Sequence, residues 1–112
     1  MRLTSALFVS AHIRRCYVEG AAAAVLRHGA DEAGAIFVAV DRLDGTSDLY
    51  APAPQTAFDD SPSDRLFQRV AERATADQLK ARLDREARFD PDMWVLAIED
   101  RDGRSFLGLA QA

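Results

Sequence analysis

The chain is expected to fold as a single α+β domain, with an antiparallel meander sheet and an N-terminal and a second helix packed on one of its faces. Three features favour this arrangement: apolar residues at helical spacing near the N-terminus, short β-rich runs bounded by glycine and proline, and Asp-Gly pairs between such runs. The length of 112 residues suits one domain with one modest core. We therefore expect one domain over residues 1–112.

The first helix is predicted over residues 5–19, with Ser5 as its N-cap and Gly20 ending it in a left-handed conformation. Residues at three- and four-residue steps form an apolar stripe, and His12 lies off it. The stripe comprises Ala6, Val9, Ile13, Cys16 and Tyr17.

Strands are predicted at residues 21–28, 35–40 and 47–50, from their β-branched and aromatic content and their boundaries. The alanines of the first run also suit a helix, but the flanking glycines favour a short strand. Asp44-Gly45 predicts a tight hairpin turn with Gly45 at positive φ.

A proline-containing loop is expected at residues 51–63. Residues 64–74 fit either a helix or an edge strand. Thr75 and Gln78 form a capping-box pattern that opens the second helix, and this helix should end before Pro91.

The apolar run at residues 93–98 is the clearest strand in the sequence. Asp102-Gly103 predicts a further hairpin, with residues 105–107 as its returning strand. Residues 108–112 are expected to fray.

Composition restricts the class of protein. Apolar residues make up 48% and charged residues 29%, an ordinary globular balance. No apolar run approaches the roughly 20 residues that cross a bilayer, and the N-terminus lacks the apolar core of a signal peptide. Cys16 is the only cysteine, as is typical of a reducing compartment. We therefore expect a cytoplasmic protein that binds no membrane.

No motif predicts a cofactor, a metal or a catalytic residue. The six glycines lack the spacing of a phosphate-binding loop, and Cys16, His12 and His28 are too few for a closed zinc site. Cys16 lies four residues after His12 on the predicted helix, but a buried, inert cysteine is the favoured interpretation. The net charge of −4 argues against nucleic acid as a partner. The sequence thus favours a protein that is not an enzyme.

One candidate binding surface lies on the first helix, where Arg14 and Arg15 could contact an anion or an acidic peptide. The alternative is that they complement the helix dipole. A second candidate surface is the corner formed by residues 85–94. This corner is either a binding site or a structural corner held by salt bridges. The candidate residues are Arg14, Arg15, Arg42, Asp44, Glu86, Arg88, Asp90 and Trp94.

If the corner is structural, two specific contacts are expected. Phe89 and Trp94 should lie in the core, with the end of the second helix covering Trp94. Arg88 should pair with an acidic neighbour, either in the corner (Glu86, Asp90 or Asp92) or in the 41–48 hairpin.

Several segments resemble a small alphaproteobacterial family of unknown function, the domain of unknown function family 1491. The resemblance rests chiefly on Arg42-Leu43-Asp44-Gly45-Thr46, Asp48-Leu49-Tyr50, Pro52-Ala53-Pro54-Gln55 and Arg85-Glu86-Ala87-Arg88-Phe89-Asp90-Pro91-Asp92. It covers about residues 3 to 107 and implies a short cytoplasmic protein without an assigned activity, cofactor or catalytic set.

Two functions follow as hypotheses. The first is a non-enzymatic protein-interaction or adaptor module, with a homodimer through the sheet edge or the first helix left open. It rests on the absent catalytic set and on uneven charge: residues 1–29 carry four arginines against one glutamate, residues 30–60 one arginine against seven acids. The alternative is a small-molecule or anion-binding domain with a cleft near Arg14, Arg42, Glu86, Arg88 and Asp90.

Overall fold

The computed structural model describes residues 3–54 and 65–110. The elements in these ranges are α1 Ser5–Val18, β1 Ala22–Arg27, β2 Ile36–Asp41, β3 Thr46–Pro52, β4 Phe67–Thr75, α2 Ala76–Phe89 and β5 Trp94–Glu99. Most of the expected proline-containing loop, residues 55–63, and the last two residues of the expected tail lie outside the described residues.

The five strands form one mixed sheet in the order β1-β5-β2-β3-β4. β5 lies between β1 and β2, antiparallel to β1 and parallel to β2, with Trp94 opposite Ile36 and Glu99 opposite Asp41. The predicted purely antiparallel meander is therefore wrong. The reason is that α2 returns the chain from β4, at one edge, across the sheet, so that β5 enters between β1 and β2 near the other edge.

The two helices pack on opposite faces of the sheet. Val9 and Cys16 of α1 belong to the core cluster on one face, whereas Leu79 and Leu83 of α2 pack against the cluster on the other. The expectation that both helices share a face is therefore wrong. Because β2 and β5 are apolar at successive positions, each presents apolar side chains on both faces and needs a covering layer on each.

Helix α1 confirms the first predicted helix, and Gly20 follows its end with φ +86°. Thr4, not Ser5, is the N-cap, because its hydroxyl accepts a hydrogen bond from the Leu7 N–H at 3.2 Å. Ser5 is buried instead and donates to the Gly34 carbonyl oxygen at 2.6 Å.

The buried face of α1 also differs from the predicted stripe at two positions. Tyr17, expected inward, is 61% exposed, whereas His12, expected outward, is buried. The His12 Nε2 lies 2.8 Å from the Ser105 carbonyl oxygen, and its ring stacks on Phe8 with centroids 5.7 Å apart. A buried imidazole is tolerated here because it is hydrogen bonded.

The segment around residues 64–74 contains the edge strand β4, one of its two predicted alternatives. The predicted capping box is confirmed: the Thr75 hydroxyl accepts from the Gln78 N–H, and the Gln78 side chain accepts from the Thr75 N–H. Helix α2 ends at Phe89, before Pro91, as predicted.

The C-terminal hairpin prediction is wrong. Gly103 does occupy a turn with φ +74°, but residues 105–107 form no strand. The chain instead runs to the outer edge of β4, where the Phe67 N–H donates to the Gly108 carbonyl and the Ala110 N–H to the Phe67 carbonyl, both at 2.9 Å. These bonds hold residues 108–110, part of the segment that we expected to fray.

The Asp44-Gly45 hairpin between β2 and β3 is confirmed, with Gly45 at φ +89°. The Asp44 carboxylate accepts hydrogen bonds from the N–H and the hydroxyl of Thr46, at 2.9 and 2.6 Å. Leu43 is also left-handed, with φ 62°, and its N–H donates to the Asp41 carboxylate. Local side-chain acceptors thus fix the turn.

We expect Gly45→Val to lower the free energy of unfolding by about 1 kcal/mol or more, because a β-branched residue resists positive φ. A Cβ at this position meets no atom within 4 Å, so backbone strain alone produces the loss. Thermal denaturation beside Ser47→Val, a substitution that suits a strand, measures it. Equal melting temperatures for wild type and Gly45→Val would contradict the prediction.

Candidate functional site

Arg42 and Asp48 form a buried ion pair at the hairpin end of the sheet. The Arg42 Nε and Nη2 atoms donate to one carboxylate oxygen of Asp48 at 3.1 and 2.6 Å. The Asp48 side chain is fully buried and that of Arg42 is 13% exposed. Arg42 was a candidate binding residue, but its guanidinium is committed to this internal partner.

The other carboxylate oxygen of Asp48 connects β3 to β4. It accepts from the Arg73 backbone N–H at 2.8 Å, where the register between the two strands shifts next to Ser47. Arg73 has φ 50°, and its side chain reaches the Asp44 carboxylate at 3.3 Å. Asp44, a candidate binding residue, thus takes part in the same network. One buried carboxylate joins the hairpin to the edge strand.

A second carboxylate fixes the turn after β5. Asp100 is 8% exposed and accepts from the Arg104 guanidinium and from the Arg104 N–H, the latter at 2.7 Å. The Asp100 N–H donates to the Asp41 carbonyl at 2.9 Å, which sets this turn beside the hairpin. A Cβ on Gly103 would lie 2.6 Å from the Arg42 guanidinium carbon, so the turn closes over the Arg42–Asp48 pair. Sequence reasoning missed this contact because its partners are about 60 residues apart.

Arg14 and Arg15 are exposed on α1, and neither forms an ion pair with any residue in the described ranges. They line a shallow depression with Ala11, Val18 and Glu19. The structure thus places both arginines where a ligand could reach them, without a built polar site around them.

The 85–94 corner is assembled differently from the expected salt-bridged one. Glu86 pairs with Arg82 at 2.9 Å along α2, and the Asp90 carboxylate accepts from the Asp92 N–H at 3.1 Å. Arg88 is exposed and forms no ion pair with a described residue, so the expected pairing is wrong. An i,i+4 partner within the helix satisfies Glu86 instead.

Trp94 is 2% exposed, as predicted, but the segment before β2 covers it rather than the helix end. The Trp94 indole N–H donates to the Ala30 carbonyl at 2.8 Å, and the His28 ring packs on the indole with centroids 4.1 Å apart. Phe89, expected in the core, is 84% exposed. Trp94 points to the face of the sheet that α1 covers, so the end of α2, on the opposite face, does not cover it.

The five residues of the proposed ligand cleft do not converge. Arg14 and Glu86 lie on helices that cover opposite faces of the sheet. Arg42 follows the end of β2, whereas Asp90 precedes β5, which starts beside the beginning of β2. The strand pairing thus separates Arg42 from Asp90 by the length of a strand.

The structure instead exposes an apolar surface that sequence reasoning did not single out. β1 forms one edge of the sheet, and next to it a groove of about 200 Å³ runs between α2 and the sheet. Leu26 is 63% exposed at its rim. We call this the β1–α2 surface, comprising residues 22–27, Leu83, Asp84, Ala87, Met93 and Val95, of which Arg27 and Asp84 are charged. The alanine run was its only signal in the sequence.

A second groove of about 440 Å³ lies at the other end of α2, beside the hairpin. Its apolar lining comes from Ala76, Leu79 and Leu83, and its charged groups include Lys80 and Asp84. These two pair with each other at 2.7 Å. The size suits a small ligand, but Lys80 and Asp84 bind each other, and the Asp41 carboxylate, which also lines the groove, accepts from the Leu43 N–H.

Several buried groups have displaced pKa values. Burial lowers the pKa of His12, against the Ser105 hydrogen bond, and the charge of Arg15 lowers it further. Burial alone would raise the pKa of Asp48, but hydrogen bonds from Arg42 and the Arg73 N–H hold it below its ordinary value. Hydrogen bonds from Arg104 similarly lower the pKa of Asp100.

Acid is therefore expected to destabilise the fold in two stages. Because the pKa of His12 is lower in the folded state, the unfolded chain binds the proton more readily than the folded one. The free energy of unfolding should therefore fall as the pH drops below the pKa of an unfolded histidine, about 6.5. The depressed pKa values of Asp48 and Asp100 add a second loss below about pH 4. Urea unfolding from pH 7.5 to 3 measures both stages.

His12→Gln should remove the first stage and leave the second. His28→Gln, at the exposed histidine, is the matched control and should retain both. A first stage that survives in His12→Gln would contradict the assignment to this histidine.

The described residues contain neither a group of metal ligands nor a membrane-spanning helix. Within residues 3–54 and 65–110, no three histidine, cysteine, aspartate or glutamate side chains are grouped as a metal site requires. No helix there has the length and apolar character needed to cross a membrane.

Comparison with known proteins connects this geometry to a family. The model of a protein family of unknown function, DUF1491, matches residues 3–108. The solution structure of protein Atu0922 from Agrobacterium tumefaciens is 43% identical, with a TM-score of 0.86 over 100% of this chain and 98% of that one. The crystal structure of a DUF1491 family protein from Caulobacter crescentus is 38% identical, with a TM-score of 0.78 over 99% of this chain and 100% of that one.

An NMR structure of a DUF1491 family protein from the same Caulobacter strain is 39% identical, with a TM-score of 0.78 over 99% of each chain. Comparison with curated proteins gave no match. The matched residues include both segments on which the resemblance rested, the hairpin and the 85–94 corner. The chain therefore belongs to the DUF1491 family, which carries no assigned function.

Proposed function

We propose that this protein is a non-enzymatic protein-interaction module that binds its partner at the β1–α2 surface. The observation that carries the proposal is the outer edge of β1, uncharged over residues 22–26, beside an open groove with a mainly apolar lining to which Arg27 and Asp84 add charge. An edge strand presents unpaired N–H and C=O groups that favour pairing with another strand. The groove next to it offers pockets for the side chains of that strand.

The chemistry of the reactive side chains supports a binding role over catalysis. Cys16 is fully buried, and burial raises the pKa of its thiol, which disfavours the nucleophilic thiolate. His12, one turn earlier, is bound to the Ser105 carbonyl. The charged groups at the hairpin end, Arg42 and Asp48, are bound to each other.

A photo-crosslinking amino acid at position 26 tests the proposal. With benzoylphenylalanine in place of Leu26, irradiation of cells should give discrete adducts between the chain and another polypeptide. The matched control has the same residue in place of Val18, which is 79% exposed on α1, away from the groove. Adducts at position 26 but not at position 18 are the expected result. No protein adduct from position 26, or the same adducts from both positions, would overturn the proposal.

The alternative function, small-molecule binding, is favoured by one observation, the 440 Å³ groove beside the hairpin. A ligand there would contact Leu79 and Leu83 and would have to compete with the Lys80–Asp84 pair. Nuclear magnetic resonance titration with a small-molecule library tests it: shifts confined to this groove would support the alternative, and no shifts there would exclude it.

A further inference from the structure

The two edges of the sheet differ in how they are protected. The edge strand β4 carries Arg69, Glu72 and Arg73, and residues 108–110 cover the outer side of Phe67. Residues 22–26 of β1, at the other edge, contain no charge, proline or glycine. Charged side chains and covering segments are the devices by which monomeric proteins protect sheet edges. Residues 22–25 of β1 have neither, and the irregularity of this strand lies beyond them, between Val25 and Arg27.

We propose that the β1 edge pairs antiparallel with the β1 edge of a second copy of this chain, giving one continuous ten-stranded sheet. The inference rests on the proposed function and names its partner. Antiparallel pairing of a strand with itself is compatible with a two-fold axis, the commonest symmetry of homodimers.

The side chains of β1 are complementary to themselves in one register. Residues directly opposite in such a pair must point to the same face, so Ala24 faces Ala24 of the second copy across the axis. Val25 then faces Ala23, whereas Leu26 lies at the irregularity between Val25 and Arg27, just beyond the regular part of the pair. Because Val25 meets an alanine, the two edges can approach to the ordinary strand spacing.

Charge complements this register. Arg27 follows the paired residues at one end of β1, and Glu99 lies opposite Ala22 at the other end. Both residues point to the α2 face. Arg27 lies opposite Val95, which packs on that face, and Glu99 lies four residues after Val95 on β5, so its side chain points the same way. Antiparallel pairing brings Arg27 of each copy toward Glu99 of the other.

One side chain already contacts this edge. The Tyr17 hydroxyl donates to the Ala23 carbonyl at 3.3 Å, and the ring is 61% exposed. A carbonyl oxygen accepts two hydrogen bonds, so this contact is compatible with strand pairing. Tyr17 would then belong to the interface, where tyrosine is enriched relative to the rest of a protein surface.

The position on the two-fold axis gives a sharp test by charge reversal. Ala24→Lys places two lysines opposite each other, Ala24→Asp places two aspartates, and an equal mixture of the two variants restores opposite charges. Sedimentation velocity from about 10 to about 500 µM covers the range in which a small interface associates. Gln68→Lys, on the protected edge strand β4, is the matched control, and thermal denaturation verifies that each variant is folded.

We expect the wild-type mass to rise with concentration from 12.3 kDa toward twice that value. Each Ala24 variant alone should associate at least about tenfold more weakly, because like charges then face each other. The mixture should recover the association, and Gln68→Lys should match wild type. A wild-type chain that stays at 12.3 kDa, a mixture no stronger than its components, or an equal loss in Gln68→Lys would overturn self-pairing.

The outcome separates this inference from the proposed function. A chain that remains monomeric but still crosslinks to another protein from position 26 refutes self-pairing and leaves the interaction module standing. A monomeric chain with no adduct at position 26 overturns both.

Discussion

Asp48→Ala is expected to lower the free energy of unfolding by about 3 kcal/mol or more. Removing one partner of a buried ion pair leaves the other charge without compensation, and here it also leaves a buried N–H without an acceptor. Arg42 loses its carboxylate, and the Arg73 N–H loses the oxygen that it reaches at 2.8 Å. In a domain of this size, such a loss corresponds to a fall in melting temperature of roughly 10 °C or more.

The matched control is Asp44→Ala in the same hairpin, at an exposed carboxylate. It should cost less, because its hydrogen bonds from Thr46 and its contact with Arg73 are exposed, so water can replace the former and screen the latter. The double variant Arg42→Leu/Asp48→Leu should recover part of the loss, since it leaves no buried charge unpaired. Equal melting temperatures for Asp48→Ala and Asp44→Ala would show that the buried pair does not hold the hairpin to β4.

Gly34→Ala is expected to cost about 3 kcal/mol or to prevent folding, because two backbone segments meet where the methyl group would lie. A Cβ at this position would clash with the Asp92 carbonyl oxygen. That segment cannot move freely, since the same carbonyl accepts from the Ala30 N–H and the Gly34 carbonyl accepts from the Ser5 hydroxyl. The variant should therefore disturb both the start of β5 and the start of α1.

Gly108→Ala is the control for this substitution. Its Cβ would come no closer than 3.4 Å to another atom, an ordinary contact with the Leu66 side chain. Urea denaturation of the two variants beside wild type gives the comparison. A Gly34→Ala variant as stable as Gly108→Ala would mean that the segment before β2 does not contact β5 as described.

The elements could largely be predicted from the sequence, because their signals are local. The capping box at Thr75, the Asp-Gly turn at Gly45 and the stop before Pro91 each depend on residues within a few positions. The strand order could not be predicted in the same way, because adjacency along the chain was taken as adjacency in the sheet. The unbroken apolar runs at residues 35–40 and 93–98 did carry the missing information, since they indicate strands covered on both faces.

The candidate site was less predictable for a related reason. The sequence identified Arg42, Asp44 and Trp94 as residues of interest, but their roles depend on partners that the fold brings from elsewhere. For Arg88 the error was of another kind. Its acidic neighbours in the sequence suggested an ion pair, but Glu86 instead binds Arg82, one helical turn before it. Charged residues close in sequence often point in different directions on a helix.

The position of β5 between β1 and β2 has a consequence for how the chain acquires its structure. During synthesis, β1 and β2 both leave the ribosome long before the strand that joins them, because β5 follows every other described strand. Until residues 94–99 are available, the inner edges of β1 and β2 lack their partner, and the two halves of the sheet have no shared ladder. Formation of the sheet must therefore wait for a late, long-range pairing step, which slows folding and prolongs the exposure of aggregation-prone edges.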